Sequence, residues 1–210
     1  MREEIERIDA IVKQFVDYAR PTELVSAPID LAALIDQQRR HFSRELDDGQ
    51  LTLDCTITPG LTWHGDATLL SRILTNLIDN AVKYGHLGER PTRVEIYAKR
   101  QGRDIEIIIR DHGPGVPPEA IGRLMRPFAR LDSSRAGVGG SGLGLAIVLR
   151  LARRAGGDLQ LANAVDGGLV ARLTLPTRSD ASDEEPPLET LHASAAGRSS
   201  APHPGSTTGG

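Results

Sequence analysis

GGSGLGLAIV, residues 139–148, sets four glycines at the mouth of an apolar run with helical spacing. What that mouth holds decides how the chain is read. Glycines ahead of a helix let the backbone approach a ligand closely, and the first-turn N–H groups, which have no intrahelical acceptor, point at it. An anion suits that place. The macrodipole adds only ~0.3–1 kcal/mol per charge at an exposed helix end, so it attracts without discriminating. The same glycines also suit a flexible entry into a core helix, and the neighbouring segments have to choose. Two phosphate loops can be set aside at once. Gly137, Gly139 and Gly142 satisfy G-x-G-x-x-G with Asp158 downstream, but a dinucleotide fingerprint needs a strand directly before the first glycine. RPFARLDSSRA stands there instead, with Pro127 and three arginines and no strand-like alternation. A P-loop needs a lysine that the region lacks, since Lys13, Lys83 and Lys99 lie elsewhere.

Outward from this stretch, 210 residues suffice for one domain with a real core and an appended element. A net charge of −3 leaves no electrostatic footprint for nucleic acid. Cys55, the single cysteine, has no partner for a disulfide and no metal-ligand neighbours, which fits a reducing, cytoplasmic compartment. No apolar stretch approaches the ~18 residues of a membrane span, so no membrane contact is expected and any anchor lies outside this chain.

Ile5, Ile8, Val12, Phe15 and Ala19 form one seam of a helix that stops before Pro21. The seam predicts either a partner helix or packing on its own domain, and residues 21–29 read as a linker. Asp30 is a good N-cap for the helix of DLAALIDQQRRHF. LTLDCTI follows, with Leu51, Leu53, Cys55 and Ile57 alternating as in a half-buried strand. Asp66 caps a helix over 67–84. TRVEIYA and DIEIIIRD read as a hairpin around Gly102, a helix is expected from about 142 to 155, and DLQLAN and LVARLTL flank the turn at Asp166-Gly167. Helices mixed with antiparallel strands predict an α+β fold, helices layered on one face of a sheet. Residues 178–210, rich in Ser, Ala, Pro, Gly, Glu and Asp, cannot bury enough apolar surface to offset their ordering entropy and are expected to be disordered.

Two further segments favour the anion. On LLSRILTNLIDNAVKYG, Asn76, Asn80 and Lys83 share one helix face while Leu70, Ile73, Leu74, Leu77, Ile78 and Ala81 form another. Asn costs a few tenths of a kcal/mol mid-helix, roughly, against Ala. Two in register therefore suggest a task, and amide oxygens can ligate Mg²⁺ beside phosphate oxygens. Solvated surface is the other reading. In IIIRDHGPGVP, an apolar strand ends at Asp111 before Gly113 and Gly115. Its carboxylate could accept from a base's exocyclic amine, telling adenine from guanine, or simply cap a turn.

Taken together these segments resemble the ATP-binding domain of bacterial sensor histidine kinases, within the superfamily shared with Hsp90-type chaperones, gyrase B and mismatch-repair ATPases. NLIDNAVKYG is similar to the N box, DHGPGVP to the first glycine box, RPFARLD to the phenylalanine box and GSGLGLAIV to the second glycine box. The boxes occur in family order, and the resemblance extends over residues 30–177. It implies a Bergerat-type two-layer sandwich of helices on a mixed, mainly antiparallel sheet, with an N-terminal helix. It implies ATP and Mg²⁺ as ligands: Asn80 on the metal, Asn76 supporting metal and phosphates, Lys83 on a phosphate, Tyr84 lining the pocket and Asp111 on the adenine amine. Gly113 and Gly115 would allow close approach. Residues 116–141 would form a lid anchored by Phe128, with Arg130 or Arg135 reaching the γ-phosphate. The backbone at Ser141, Gly142, Leu143, Gly144 and Leu145 would face the phosphates. Met125 and Ala129 depart from the phenylalanine box, which implies a softer lid hinge.

The family phosphorylates a histidine that an acidic residue follows on a dimerising hairpin. His41, His64, His86, His112, His192 and His203 precede Phe42, Gly65, Leu87, Gly113, Ala193 and Pro204, so none matches. Residues 1–20 resemble the second helix of that hairpin, which implies a fragment that begins after the acceptor. The resemblance implies three partners: ATP, a histidine-bearing helix in a homodimer, and a response regulator. A nucleotide-dependent interaction module is the alternative. An independent ATPase would need a carboxylate to activate water, and Asp79 is the candidate.

Overall fold

The computed structural model describes residues 25–85, 91–129 and 141–177. The helix predicted before Pro21, the segment 178–210, and Arg130 and Arg135 lie outside the described residues. In chain order the elements are β1 (Ala27–Asp30), α1 (Leu31–His41), α2 (Ser43–Asp47), β2 (Leu51–Ile57), β3 (Thr62–Gly65), α3 (Ala67–Tyr84), β4 (Thr92–Gln101), β5 (Asp104–Asp111), α4 (Pro118–Leu124), α5 (Gly144–Arg154), β6 (Asp158–Asn163) and β7 (Leu169–Pro176).

The main sheet runs β2-β4-β5-β7-β6. β2 pairs with β4 in parallel and every other ladder is antiparallel. Side chains alternate across a strand, and here the alternation sorts the sheet into two unlike faces. Val94, Ile96, Ile105, Ile107, Ile109, Leu173 and Leu175 are buried on one face, where Leu70, Ile73, Leu74, Leu77 and Ile78 of α3 join the same core. Each such side chain contributes ~1.5–3 kcal/mol when fully buried. The alternate residues carry charge: Glu106 pairs with Lys99 (3.3 Å) and Arg172 (2.9 Å), and Arg93 with Asp54 (3.0 Å). The result is the expected α+β sandwich, helices on one face of a mixed sheet.

Caps set the helix limits. Asp30 accepts from Ala32 and Ala33 N–H to start α1, and Asp66 accepts from Leu69 N–H to start α3. α1 is fixed to α3 by Gln38, which is 1% exposed. Its carboxamide donates to Ser71 Oγ at 2.9 Å and accepts from Thr75 Oγ1 at 2.7 Å.

Four expectations change. The stretch read as linker ends in strand, because Ala27–Asp30 pairs antiparallel with Thr62–Gly65. Within the stretch assigned to a lid, residues 118–124 form α4, which Pro118 opens at the first helical position, where its missing N–H has no cost. The last helix starts at Gly144 rather than near 142, because Gly142 turns with φ +69° and Ser141 Oγ holds Leu143 N–H at 3.2 Å. Cys55 is exposed: β2 is an edge strand, buried at Leu51 and Leu53 and partly covered at Ile57 but open at Cys55 between them. Among the described residues no helix is long and apolar enough to cross a membrane.

Candidate functional site

The site forms where α3 meets α5. The apolar face of α3 faces the core, which leaves Asn76 and Asn80 half-buried on its flank. Asn76 Nδ2 donates back to the Arg72 carbonyl at 2.8 Å, which fixes the carboxamide and presents its oxygen away from the helix axis. Asn80 Nδ2 is buried without a hydrogen-bond partner. A buried amide left unpaired costs ~1–3 kcal/mol, so this group is placed for something that arrives.

Gly144 opens α5 against these two side chains. A Cβ there would lie 3.3 Å from both Asn80 Nδ2 and Oδ1 and 3.6 Å from Asn76 Oδ1. A side chain there would press on the Asn80 carboxamide, and glycine leaves that space open. No side chain caps α5, whose N-cap residue is Leu143. Its first-turn N–H groups therefore open onto the same space as the carboxamides, and amide donors, amide oxygens and a positive helix end suit phosphate. Gly142 brings the phenylalanine-box segment alongside: Phe128 N–H donates to the Gly142 carbonyl at 3.0 Å, and a Cβ at Gly142 would meet Phe128 C at 2.8 Å. Phe128 is 61% exposed and has φ +63°, a conformation that costs a bulky residue ~1–3 kcal/mol.

Asp111 ends β5 on the helix side of the sheet. Its Oδ1 accepts from Gly113 N–H (2.9 Å) and Leu169 N–H (3.1 Å), leaving Oδ2 to a ligand. Burial pushes its carboxyl above the ordinary range, and the two backbone bonds oppose that shift. Gly113 and Gly85 touch, since a Cβ on Gly113 would lie 2.6 Å from Gly85 Cα. Lys83 is exposed and pairs with Asp79 at 2.6 Å. Tyr84 is 46% exposed at the end of α3.

Three positions escaped the sequence reading. Gly85 and Gly168 complete the cradle: a Cβ at Gly85 would lie 3.0 Å from Asp111 Cβ, and one at Gly168 1.9 Å from the Asp111 carbonyl oxygen. Both lay in view, as the glycine after Tyr84 and the second glycine of the Asp166 turn. Asn163 gives no such signal, because Asn at a strand end reads as a turn residue. Its carboxamide mimics a strand, accepting from Val116 N–H at 2.9 Å and donating to Val116 O at 2.6 Å, which pins the loop after Asp111. Asn163→Ala is expected to cost about 1 kcal/mol in urea denaturation, since the released groups reach water. Faster hydrogen exchange at Val116 should accompany it.

The profile of the histidine kinase-, DNA gyrase B-, and HSP90-like ATPases matches residues 65–179, which take in every group just described. The chain belongs to that family. The signal transduction histidine-protein kinase/phosphatase MprB of Mycolicibacterium paratuberculosis is 35% identical over 173 residues, 79% of this chain and 31% of that protein. The chain thus spans about a third of the length of the curated relatives it matches. A structure of the mycobacterial sensor histidine kinase MprB superposes with TM-score 0.61 at 31% identity, over 73% of this chain and 99% of that one. Full-length ShkA in complex with AMPPNP gives TM-score 0.72 at 26% identity, over 86% and 38%.

Proposed function

We propose that this ATPase domain is the catalytic portion of a two-component sensor histidine kinase, which transfers the γ-phosphoryl of Mg·ATP to a histidine on a dimerisation helix for relay to a response regulator. The juxtaposition of Asn80, Asn76 and Gly144 at the uncapped start of α5 carries the reading. Asn80, supported by Asn76, would hold Mg²⁺, whose charge, when bound, offsets that of the phosphate oxygens. Among the described residues no cluster of three His, Cys, Asp or Glu competes as a metal site, and carboxamides beside phosphates suit a hard cation. Lys83, released from Asp79, and Arg130 or Arg135 would balance charge on the γ-phosphate. Catalysis is then positioning plus charge neutralisation, with the acceptor nitrogen in line. The full-length protein is expected to act as a homodimer.

Calorimetric titration with Mg·ATP and Mg·GTP tests the site. Saturable binding that prefers ATP is expected, followed by phosphoryl transfer to a histidine-bearing helix supplied in trans. ATP binding without transfer would favour a nucleotide-dependent interaction module, and no binding by the folded protein would overturn the assignment.

Asp111→Asn should weaken ATP binding about tenfold to a hundredfold, the worth of a hydrogen bond to a charged group, ~1.5–3 kcal/mol. The pH dependence has a definite sign. Because Asp111's pKa is raised on folding, protonation stabilises the domain, and this contribution fades as pH rises through the folded value. Nucleotide affinity runs the other way. It falls as pH drops through that value, above the ordinary aspartate range, and this acid limb should vanish in the Asn variant when both are titrated calorimetrically across pH.

A further inference from the structure

Asp111 and His112 leave the sheet on opposite faces. Val94, fully buried on the helix side, stands opposite Asp111 in the β4–β5 register, so His112, one residue on, turns to the far face. There its Nε2, shielded from solvent, lies 3.3 Å from Glu95 Oε1 in an oblique approach. The Glu95 side chain is only 10% exposed. Arg93 sits 2.8 Å from the same oxygen, and Tyr97 Oη donates to Oε2 at 3.1 Å. Taking a carboxylate out of water costs several kcal/mol, roughly, unless fixed partners offset it. The solvent face of a sheet imposes no such burial, so the carboxylate's value lies in what it holds.

What it holds is the loop of Asp111. Gly113 donates to Asp111 Oδ1 and cannot slide sideways, because Gly85 backbone fills the space beside it. The loop can still swing about His112, and the His112 side chain beside Glu95 anchors that pivot. We propose that Glu95 and His112 are positioning residues for base recognition: from the face opposite the nucleotide they fix the Gly113 N–H and, through it, the direction of the Asp111 carboxylate. This rests on reading Asp111 as the acceptor of the adenine amine.

The test is titration of Mg·ATP and Mg·GTP into the wild-type protein, His112→Ala and His112→Gln, each with and without Asp111→Asn, with thermal melts by circular dichroism. His112→Ala should weaken ATP about fivefold to tenfold and leave GTP unchanged, a selective loss that coupled neighbours show. His112→Gln, whose amide still reaches Glu95, should recover most of it, and neither change should matter once Asp111 is Asn. Equal loss for both nucleotides, full additivity with Asp111→Asn, or no effect would overturn the proposal. A folded wild-type protein that binds no ATP would instead remove the reading beneath it.

Discussion

Asn80→Ala is expected to lower Mg·ATP affinity at least a hundredfold while leaving the domain as stable as before or more so. The two effects separate because Asn80 Nδ2 is buried and unpaired in the free protein. Deleting it removes an orphan donor worth ~1–3 kcal/mol of desolvation, and Ala is the better helix former by about half a kcal/mol. Those gains offset the lost packing against Gly144. With ligand the balance should reverse, because the variant lacks the carboxamide proposed to meet metal and phosphate. A hundredfold is about 2.7 kcal/mol at 25 °C, within reach of one well-placed ligand group. Calorimetry reads the first effect and a thermal melt the second. Retained ATP affinity, or a melt several degrees lower, would show that Asn80 is structural and not a ligand group.

Gly168→Ala is expected to destabilise the domain by about 3 kcal/mol or more, since a left-handed backbone penalty of ~1–2 kcal/mol adds to overpacking of ~1–3 kcal/mol. Gly168 has φ +88°, and a Cβ would fall 1.9 Å from the Asp111 carbonyl oxygen and 2.7 Å from its carbonyl carbon. Those atoms are backbone and cannot rotate away. Relief requires the end of β5 to shift, so ATP binding should fail along with stability. Gly167→Ala is the internal comparison: its φ is +98° but its nearest neighbour is the Gly113 carbonyl oxygen at 3.6 Å. It should show the backbone penalty alone. Urea denaturation of the pair measures the difference, and equal losses would mean the contact at Gly168 relaxes freely.

The sequence made α3 legible from end to end because two independent signals agree there, the Asp66 cap and an unbroken apolar face. It also brought Asn76, Asn80, Asp111 and Gly144 into one hypothesis, since each sits at a fixed place on an element whose period is plain. Contacts between elements were not legible. β1 and β3 have four residues each and exist through pairing with each other, and Pro28 within β1 argues locally against a strand. α4 hides behind Pro117 and Pro118, which read as loop although proline suits a first helical turn. Asn163 acts on Val116 across 47 residues, and nothing in either neighbourhood anticipates the other. The pair of Lys83 with Asp79 follows from their i, i+4 spacing on α3 and is legible in the sequence.

Trp63 is the one tryptophan of the chain. It is 2% exposed, and its indole N–H donates to the carbonyl of Pro176, 113 residues on. Pro176 stands opposite Asp104 at one end of β5, whereas Asp111 closes the other end. Seven residues of strand at about 3.3 Å each put the indole roughly 20 Å from the Asp111 carboxylate. The protein therefore contains its own optical reference. Its emission should stay blue and constant through a nucleotide titration and shift to the red only when β3 and the end of β7 part, so fluorescence counts folded molecules in the same cuvette in which ligand is being added.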